Sequence, residues 1–146
     1  MGLLTLQIVD NAVSPEELAR WQARVQTDTQ STSLTEEDVA GSELYTLART
    51  FVPTLPLIHA LLFDIVQGMD TELHRDVGEY CVLFYPTGNP LAPLGIDHEG
   101  LSSVEVLANR LVVFDCTHVR HQQVVPTDDS HRYSVAFKFR MNPEDI

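Results

Sequence analysis

The stretch from Arg132 to Phe139 separates by parity: Tyr133, Val135, Phe137 and Phe139 form one set, Arg132, Ser134 and Ala136 the other. Successive residues of a strand point to opposite faces, so each set lies on one side of a sheet. Two further stretches, Cys81 to Phe84 and Leu111 to Phe114, are apolar at both parities. A strand with one face open to water alternates; a strand that is apolar throughout is covered on both faces. Any fold for this chain must therefore place a layer on each side of a sheet. The arginine at position 132 must then be accommodated on an enclosed face.

The N-terminal half supplies candidates for one cover. Leu3 to Val9 reads as a strand and Asp10-Asn11 as a turn. Ser14-Pro15-Glu16-Glu17 is a helix start, with Ser14 as N-cap, Pro15 at the first helical position and Glu17 completing a capping box. Leu18, Trp21 and Val25 continue it at helical spacing. Residues 27–35 are rich in Ser, Thr, Asp and Gln and read as an exposed loop, a candidate mobile cover. A second helix is expected over about 36–49, weakened at Gly41. The stripe Leu57, Ile58, Leu61, Leu62 and Ile65 predicts a third over 55–66.

After Gly68 the pattern changes to strands and turns, expected at 72–76, 80–85, 104–107, 111–115, 119–125 and 132–140. Residues 86–100, rich in Pro and Gly, read as a long loop or a pair of hairpin turns. Helices followed by strands give an α+β domain, in which helices back one face of an antiparallel sandwich. With 146 residues, 44% of them hydrophobic, one domain is expected over 1–146. Its helical part covers about 1–67 and its β-rich core about 68–141.

Charge removes several functions. The net charge is −12, and Lys138 is the single lysine. Binding to a nucleic-acid backbone or an anionic membrane needs a basic surface, so neither partner is expected. The two cysteines, Cys81 and Cys116, make no disulfide framework. The first ten residues lack a basic segment and a small-residue cleavage site, and no apolar run approaches the ~20 residues of a membrane span. A cytoplasmic protein is the expectation.

The sharpest chemical feature is His74-Arg75-Asp76. On a strand His74 and Asp76 would project together, with Arg75 turned away. An imidazole and a carboxylate so placed are two-thirds of a 2-His-1-carboxylate facial triad, which leaves open positions on non-haem Fe(II). The plain alternative is an exposed turn in which Asp76 caps Gly78. A further histidine would have to come from elsewhere, and His118 and His121 lie in the C-terminal β region.

That region carries a resemblance. Asn109 to Asp115, then Cys116-Thr117-His118-Val119-Arg120-His121, then Gln122 to Pro126 and Asp128 to Ser134 resemble the second half of the double-stranded β-helix of Fe(II)/2-oxoglutarate dioxygenases, especially the small prolyl-hydroxylase-like branch. The likeness covers roughly residues 68–139. It implies a jelly-roll or cupin-like barrel backed by the N-terminal helices. His74 and Asp76 match the family's proximal pair. His121, five residues before Pro126 and eleven before Arg132, matches its distal histidine better than His118 does. Arg132 and Ser134 match an Arg-x-Ser clamp for the distal carboxylate of 2-oxoglutarate. Tyr85, with Tyr80 as the alternative, is the candidate for the tyrosine that often joins it. The implied activity is a hydroxylase using Fe(II), 2-oxoglutarate and O₂, and releasing succinate and CO₂. The prime substrate would be a small molecule, an amino acid or a peptide side chain.

Departures are visible too. The family's Gly-Gly-acidic turn is replaced by Gly95-Ile96-Asp97-His98-Glu99-Gly100, where His98 and Glu99 are expected on a solvated turn. His131 is expected to be exposed and His59 to be structural within the 55–66 helix. A zinc site drawn from Cys116, His118 and His121 would need its fourth ligand from Cys81 or an unrelated carboxylate, and lacks the usual ligand spacing. Two other functions compete. A cupin-like isomerase, lyase or binding module would share the barrel but does not call for Arg132. A non-catalytic barrel would bind a partner only. Residues 91–96 are a candidate apolar patch for a homodimer.

Overall fold

The computed structural model describes residues 3–27 and 31–146. Within them, strand β1 (Leu6–Val9) leads to helix α1 (Pro15–Thr27), a two-residue strand β2 (Thr32–Ser33), and helices α2 (Glu36–Val39) and α3 (Glu43–Phe51). Seven further strands follow: β3 (Leu57–Ile65), β4 (Glu79–Tyr85), β5 (Asn89–His98), β6 (Leu101–Val106), β7 (Arg110–Phe114), β8 (Arg120–Gln123) and β9 (Arg132–Arg140). They form a six-stranded sheet ordered β1-β7-β4-β9-β3-β2 and a three-stranded sheet ordered β6-β5-β8. Every pairing is antiparallel. The helices-then-sandwich architecture is the one expected, but the two sheets are not closed into a barrel.

The large sheet is buried on both faces, as its composition requires. On one side Val82, Phe84, Val135, Phe137 and Phe139 pack against Trp21, Val25, Leu44 and Ala48 of the helices. On the other, Cys81, Leu83, Tyr85, Val112, Phe114 and Ala136 pack against Leu94, Ile96, Val104 and Val106 of the small sheet. Each fully buried Phe or Leu contributes about 1.5–3 kcal/mol relative to exposure, so the double cover holds the sheet in place. Arg132, Ser134 and Ala136 fall on the inner face, where the parity of β9 puts them.

Three elements differ from expectation. Residues 55–66 are not a helix: β3 pairs with β9 over eight positions from Leu57 to Ile65. A short apolar run fits either period, so its spacing alone does not decide between helix and strand. Pairing with β9 satisfies one side of its backbone, and β2 adds pairing on the other side at Leu61 and Leu62. Residues 86–100 are not a loop. They hold β5, whose prolines are tolerated because its register with β6 shifts between Asn89 and Leu94. Gly95 suits the close approach to β8, where a side chain would sit 3.3 Å from Cβ of Gln122. Residues 72–76 are not a full strand, but make a single antiparallel bridge, His74 with His121.

Smaller corrections follow from local contacts. The expected 36–49 helix breaks at Gly41, whose φ of +77° is left-handed, and restarts with Ser42 capping Tyr45. Ser14 caps Glu17, as read, but Glu17 does not close the box. Glu43 of α3 accepts from the Ser14 amide and hydroxyl at 2.7 and 2.6 Å, while Glu17 turns to the Leu44 amide. This exchange ties α1 to α3. Of the expected 91–96 patch only Leu91 is exposed; Ala92, Leu94 and Ile96 are core. The cover expected at 27–35 lies partly outside the described residues. None of the described helices is long and apolar enough to cross a membrane.

Candidate metal centre and anion clamp

β8 presents His121 and Gln123 on one face by strand alternation and turns Gln122 outward, where its amide reaches Thr71. The His74–His121 bridge brings the preceding segment alongside: each backbone amide donates to the other's carbonyl, at 2.9 and 2.8 Å. Asp76 is fixed in turn by its amide, which donates to Cys116 at 2.8 Å. The result is a compact cluster. Asp76 offers Oδ1 to His74 Nε2 at 3.3 Å and Oδ2 to His121 Nε2 at 3.1 Å. Nδ1 of His74 lies 2.8 Å from the Glu72 carbonyl, and Nδ1 of His121 lies 3.3 Å from that of Val119. Carbonyls only accept, so each Nδ1 directs a proton to its carbonyl, and the Nε2 of each ring faces Asp76.

The cluster opens onto a cavity of about 380 Å³, lined also by His59, Phe63, Glu79, Leu83, Phe114, Gln123 and Lys138. A larger cleft of about 430 Å³, between α2 and the first half of β3, contains no such cluster. His121 is buried and His74 is open to the cavity. Lys138 reaches inward from β9, with Nζ 3.1 Å from Asp76 Oδ2 and 3.8 Å from Glu79 Oε1. The hydrogen bond from His121, with Lys138 nearby, holds the Asp76 carboxyl well below the usual carboxylate range against the opposing effect of burial.

The donor set suits a first-row divalent ion. With metal–ligand bonds of about 2.0–2.2 Å, neighbouring ligands of a six-coordinate ion lie about 3 Å apart. The observed 3.1 and 3.3 Å separations, each to a different oxygen of Asp76, are of that size. Across the three residues the ligand atoms all lie within 4.8 Å of one another. His118 is outside the cluster: it is exposed, and its Nδ1 is 2.7 Å from Asp115 Oδ2. Cys81 and Cys116 lie behind Asp76 with their sulfurs 2.7 Å apart. Neither His118 nor His121 joins them, so the suggested zinc set is not assembled.

Arg132 is fully buried on the same inner face. Its Nε donates to the Ala92 carbonyl at 2.9 Å, one terminal nitrogen to Oε1 of Gln123 at 2.6 Å and the other to the Tyr85 hydroxyl at 3.3 Å. Ser134 Oγ is 3.5 Å from the same Gln123 oxygen. Burial pushes the Tyr85 phenol up, with Arg132 partly opposing, so Tyr85 stays neutral. Tyr80 points to the helix side and donates to the Leu4 carbonyl, away from this group.

The other histidines are placed as follows. His59 is on β3 and lines the cavity, rather than lying in a helix. His98 and Glu99 are at the β5–β6 turn, as read, and His131 is exposed, with its Nδ1 2.7 Å from the buried Asp64. Two residues of the site went unread, Gln123 and Lys138. Strand parity offers a signal for both: Gln123 shares a face with His121, and Lys138 with Arg132, Ser134 and Ala136.

No family model and no curated protein matches this sequence. Solved structures do. HygX from Streptomyces hygroscopicus, with nickel and 2-oxoglutarate bound, superposes with a TM-score of 0.76 at 9% identity, over 94% of this chain and 82% of its own. The viral collagen prolyl hydroxylase vCPH of Paramecium Bursaria Chlorella virus-1 gives 0.72 at 10% identity, over 95% and 91%. The epimerase SnoN, in complex with Fe3+, alpha ketoglutarate and nogalamycin RO, gives 0.66 at 12%, over 92% and 78%. Over more than nine-tenths of its length, this chain has the fold of those three proteins.

Proposed function

We propose that the protein is a non-haem Fe(II)- and 2-oxoglutarate-dependent oxygenase, which hydroxylates a small molecule, an amino acid or a peptide side chain. The observation that carries this reading is the pairing of two unlike sites on one inner face. One is a two-imidazole, one-carboxylate cluster with metal-ligand spacing. The other is a buried guanidinium whose partners among the described residues are all neutral. A buried cation without an anion is costly, and a ligand carboxylate would complete it. 2-Oxoglutarate has a chelating keto acid at one end and a carboxylate at the other.

His74, Asp76 and His121 would hold the metal, leaving positions open for cosubstrate and O₂. Bound iron, with 2-oxoglutarate and O₂, supplies an oxidation that yields succinate, CO₂ and oxidised substrate. The chain's own residues orient and exclude. Arg132 would take the distal carboxylate through its planar N–H donors, assisted by the Ser134 hydroxyl and the neutral Tyr85 phenol. Phe114, stacked edge-on to His121 at 5.0 Å between ring centroids, and Leu83 keep water from the inner wall. Hydroxylation is the outcome we propose; the fold also serves an epimerase, SnoN.

Anaerobic titration of metal-free protein with Fe(II) and then 2-oxoglutarate tests the reading. A visible charge-transfer band that is lost in both His74→Ala and Arg132→Ala is the expected result. Iron uptake without a band points instead to a cupin-like or non-catalytic protein. Failure of the folded protein to take up iron removes the metal centre altogether.

A further inference from the structure

Gln123 lies between the two halves of the site. It lines the metal-side cavity, and a second cavity beside it bounded by Ile65, Asp70, Thr71, Glu72 and His74. Its amide oxygen takes the Arg132 donor at 2.6 Å and faces the Ser134 hydroxyl at 3.5 Å. These are the two groups that a ligand carboxylate would use. A carboxamide oxygen is a neutral copy of one carboxylate oxygen, so it stands where the anion would stand. The amide nitrogen of Gln123 makes no hydrogen bond to a described residue, and only the oxygen holds the side chain in place.

We propose that Gln123 is an internal occupant of the anion clamp, which competes with a carboxylate ligand for Arg132 and Ser134. The inference deepens the oxygenase reading and rests on it for the identity of the natural ligand. The exchange is chemically even-handed. A guanidinium has five N–H donors, and three of those of Arg132 are in use, one on each nitrogen. Displacing Gln123 releases one terminal N–H and leaves the bonds to Ala92 and Tyr85 intact. The incoming carboxylate replaces a neutral acceptor with a charged one and gains roughly twice the bond strength. Gln123 therefore lowers affinity for any carboxylate that uses the clamp, and a second anchor at the metal would offset that cost.

The test uses glutarate, which has both carboxylates of the natural ligand's length but no keto group and needs no metal. Its binding to metal-free protein is followed by calorimetry and thermal shift in wild type, Gln123→Met and Gln123→Glu. Met fills the volume without an acceptor, and should tighten glutarate binding about 3- to 30-fold, the scale of one charge-assisted hydrogen bond less its solvation. Glu puts a carboxylate into the clamp, and should weaken glutarate at least about tenfold. Equal or weaker binding to Gln123→Met, or unchanged binding to Gln123→Glu, overturns the proposal. The charge-transfer band of iron-loaded wild type with 2-oxoglutarate separates the two ideas. A band without the Met and Glu effects leaves the oxygenase reading standing and removes the clamp occupant. The effects without a band do the reverse.

Discussion

The two ends of the inner site solve opposite electrostatic problems. At the mouth, one carboxylate, Asp76, is surrounded by His74, His121 and Lys138 at 3.1–3.3 Å. At the floor, one guanidinium, Arg132, is surrounded by a carbonyl, a phenol and a carboxamide. The mouth holds more potential cations than its anion needs. Among the described residues, the floor's cation has no anion. Chains that bury charge for stability pair it within the protein, because an unpaired buried charge costs several kcal/mol. Here the unpaired charge is deepest. The difference teaches that the mouth balances its charge from within, whereas the floor keeps a buried cation among neutral groups.

The largest effect that sharpens this contrast is at the mouth. His121→Ala should lower Fe(II) affinity by about 100-fold or more, since even outer-shell partners of metal ligands are worth about 10- to 100-fold. His118→Ala should leave it unchanged, because His118 is occupied by Asp115 at the surface. Neither substitution should alter glutarate binding at Arg132. Equal loss from both histidines, measured by competition with a chelating dye, would remove His121 from the metal centre.

Lys138 is the weakest point of the contrast and the next way to break it. Its ammonium sits on Oδ2, the Asp76 oxygen that also faces His121. An ion arriving at the cluster meets a positive charge already in place. Lys138→Met keeps the aliphatic stem and removes that charge. It should raise Fe(II) affinity about 3- to 30-fold, the equivalent of a repulsion on the order of 1–2 kcal/mol in a partly solvated site. The same change should lower the stability of the metal-free protein, because Asp76 and Glu79 lose their shared cation. A fall in metal affinity would instead make Lys138 a positioning residue that holds Asp76 for the metal.

Legibility in the sequence followed the same division. The floor could be read because β9 is buried on both faces, so parity alone placed Arg132 and Ser134 inside and Val135, Phe137 and Phe139 under the helices. The mouth was read through residue types, not secondary structure. His74 and Asp76 are together, yet not on the strand that spacing suggested: one backbone bridge to His121 does that work. The helix expected at 55–66 failed because Leu57, Ile58, Leu61, Leu62 and Ile65 fit a 3.6-residue period, while the decisive fact, a vacant edge on β9, is tertiary. His59 was therefore misplaced, and with it one wall of the cavity. Gln123 and Lys138 went unread for another reason. Neither belongs to a ligand motif, and their roles exist only once β8 and β9 face the same space.

The smallest expected effect concerns the floor alone and uses pH to ask whether its cation lacks an internal anion. If Tyr85 were a phenolate, Arg132 would be paired and the contrast with Asp76 would vanish. Burial raises the Tyr85 phenol, so its folded value lies above the unfolded one of about 10. Stability supplied by the neutral phenol is then fully present below pH ~10 and lost as pH rises through the folded value, because only the unfolded chain releases the proton readily. Tyr80 and Tyr133 are raised too, chiefly by burial, so the wild-type alkaline limb combines several tyrosines. Tyr85→Phe should remove one share of it, flattening the fall in urea-unfolding stability between about pH 10 and 11 by up to about 1.4 kcal/mol per pH unit. It should change stability little at pH 7, where the lost bond to Arg132 is the long 3.3 Å one. An unflattened limb would mean that Tyr85 already ionises in the folded protein near its ordinary value. Arg132 would then have its anion at alkaline pH, and glutarate binding should weaken as Tyr85 charges.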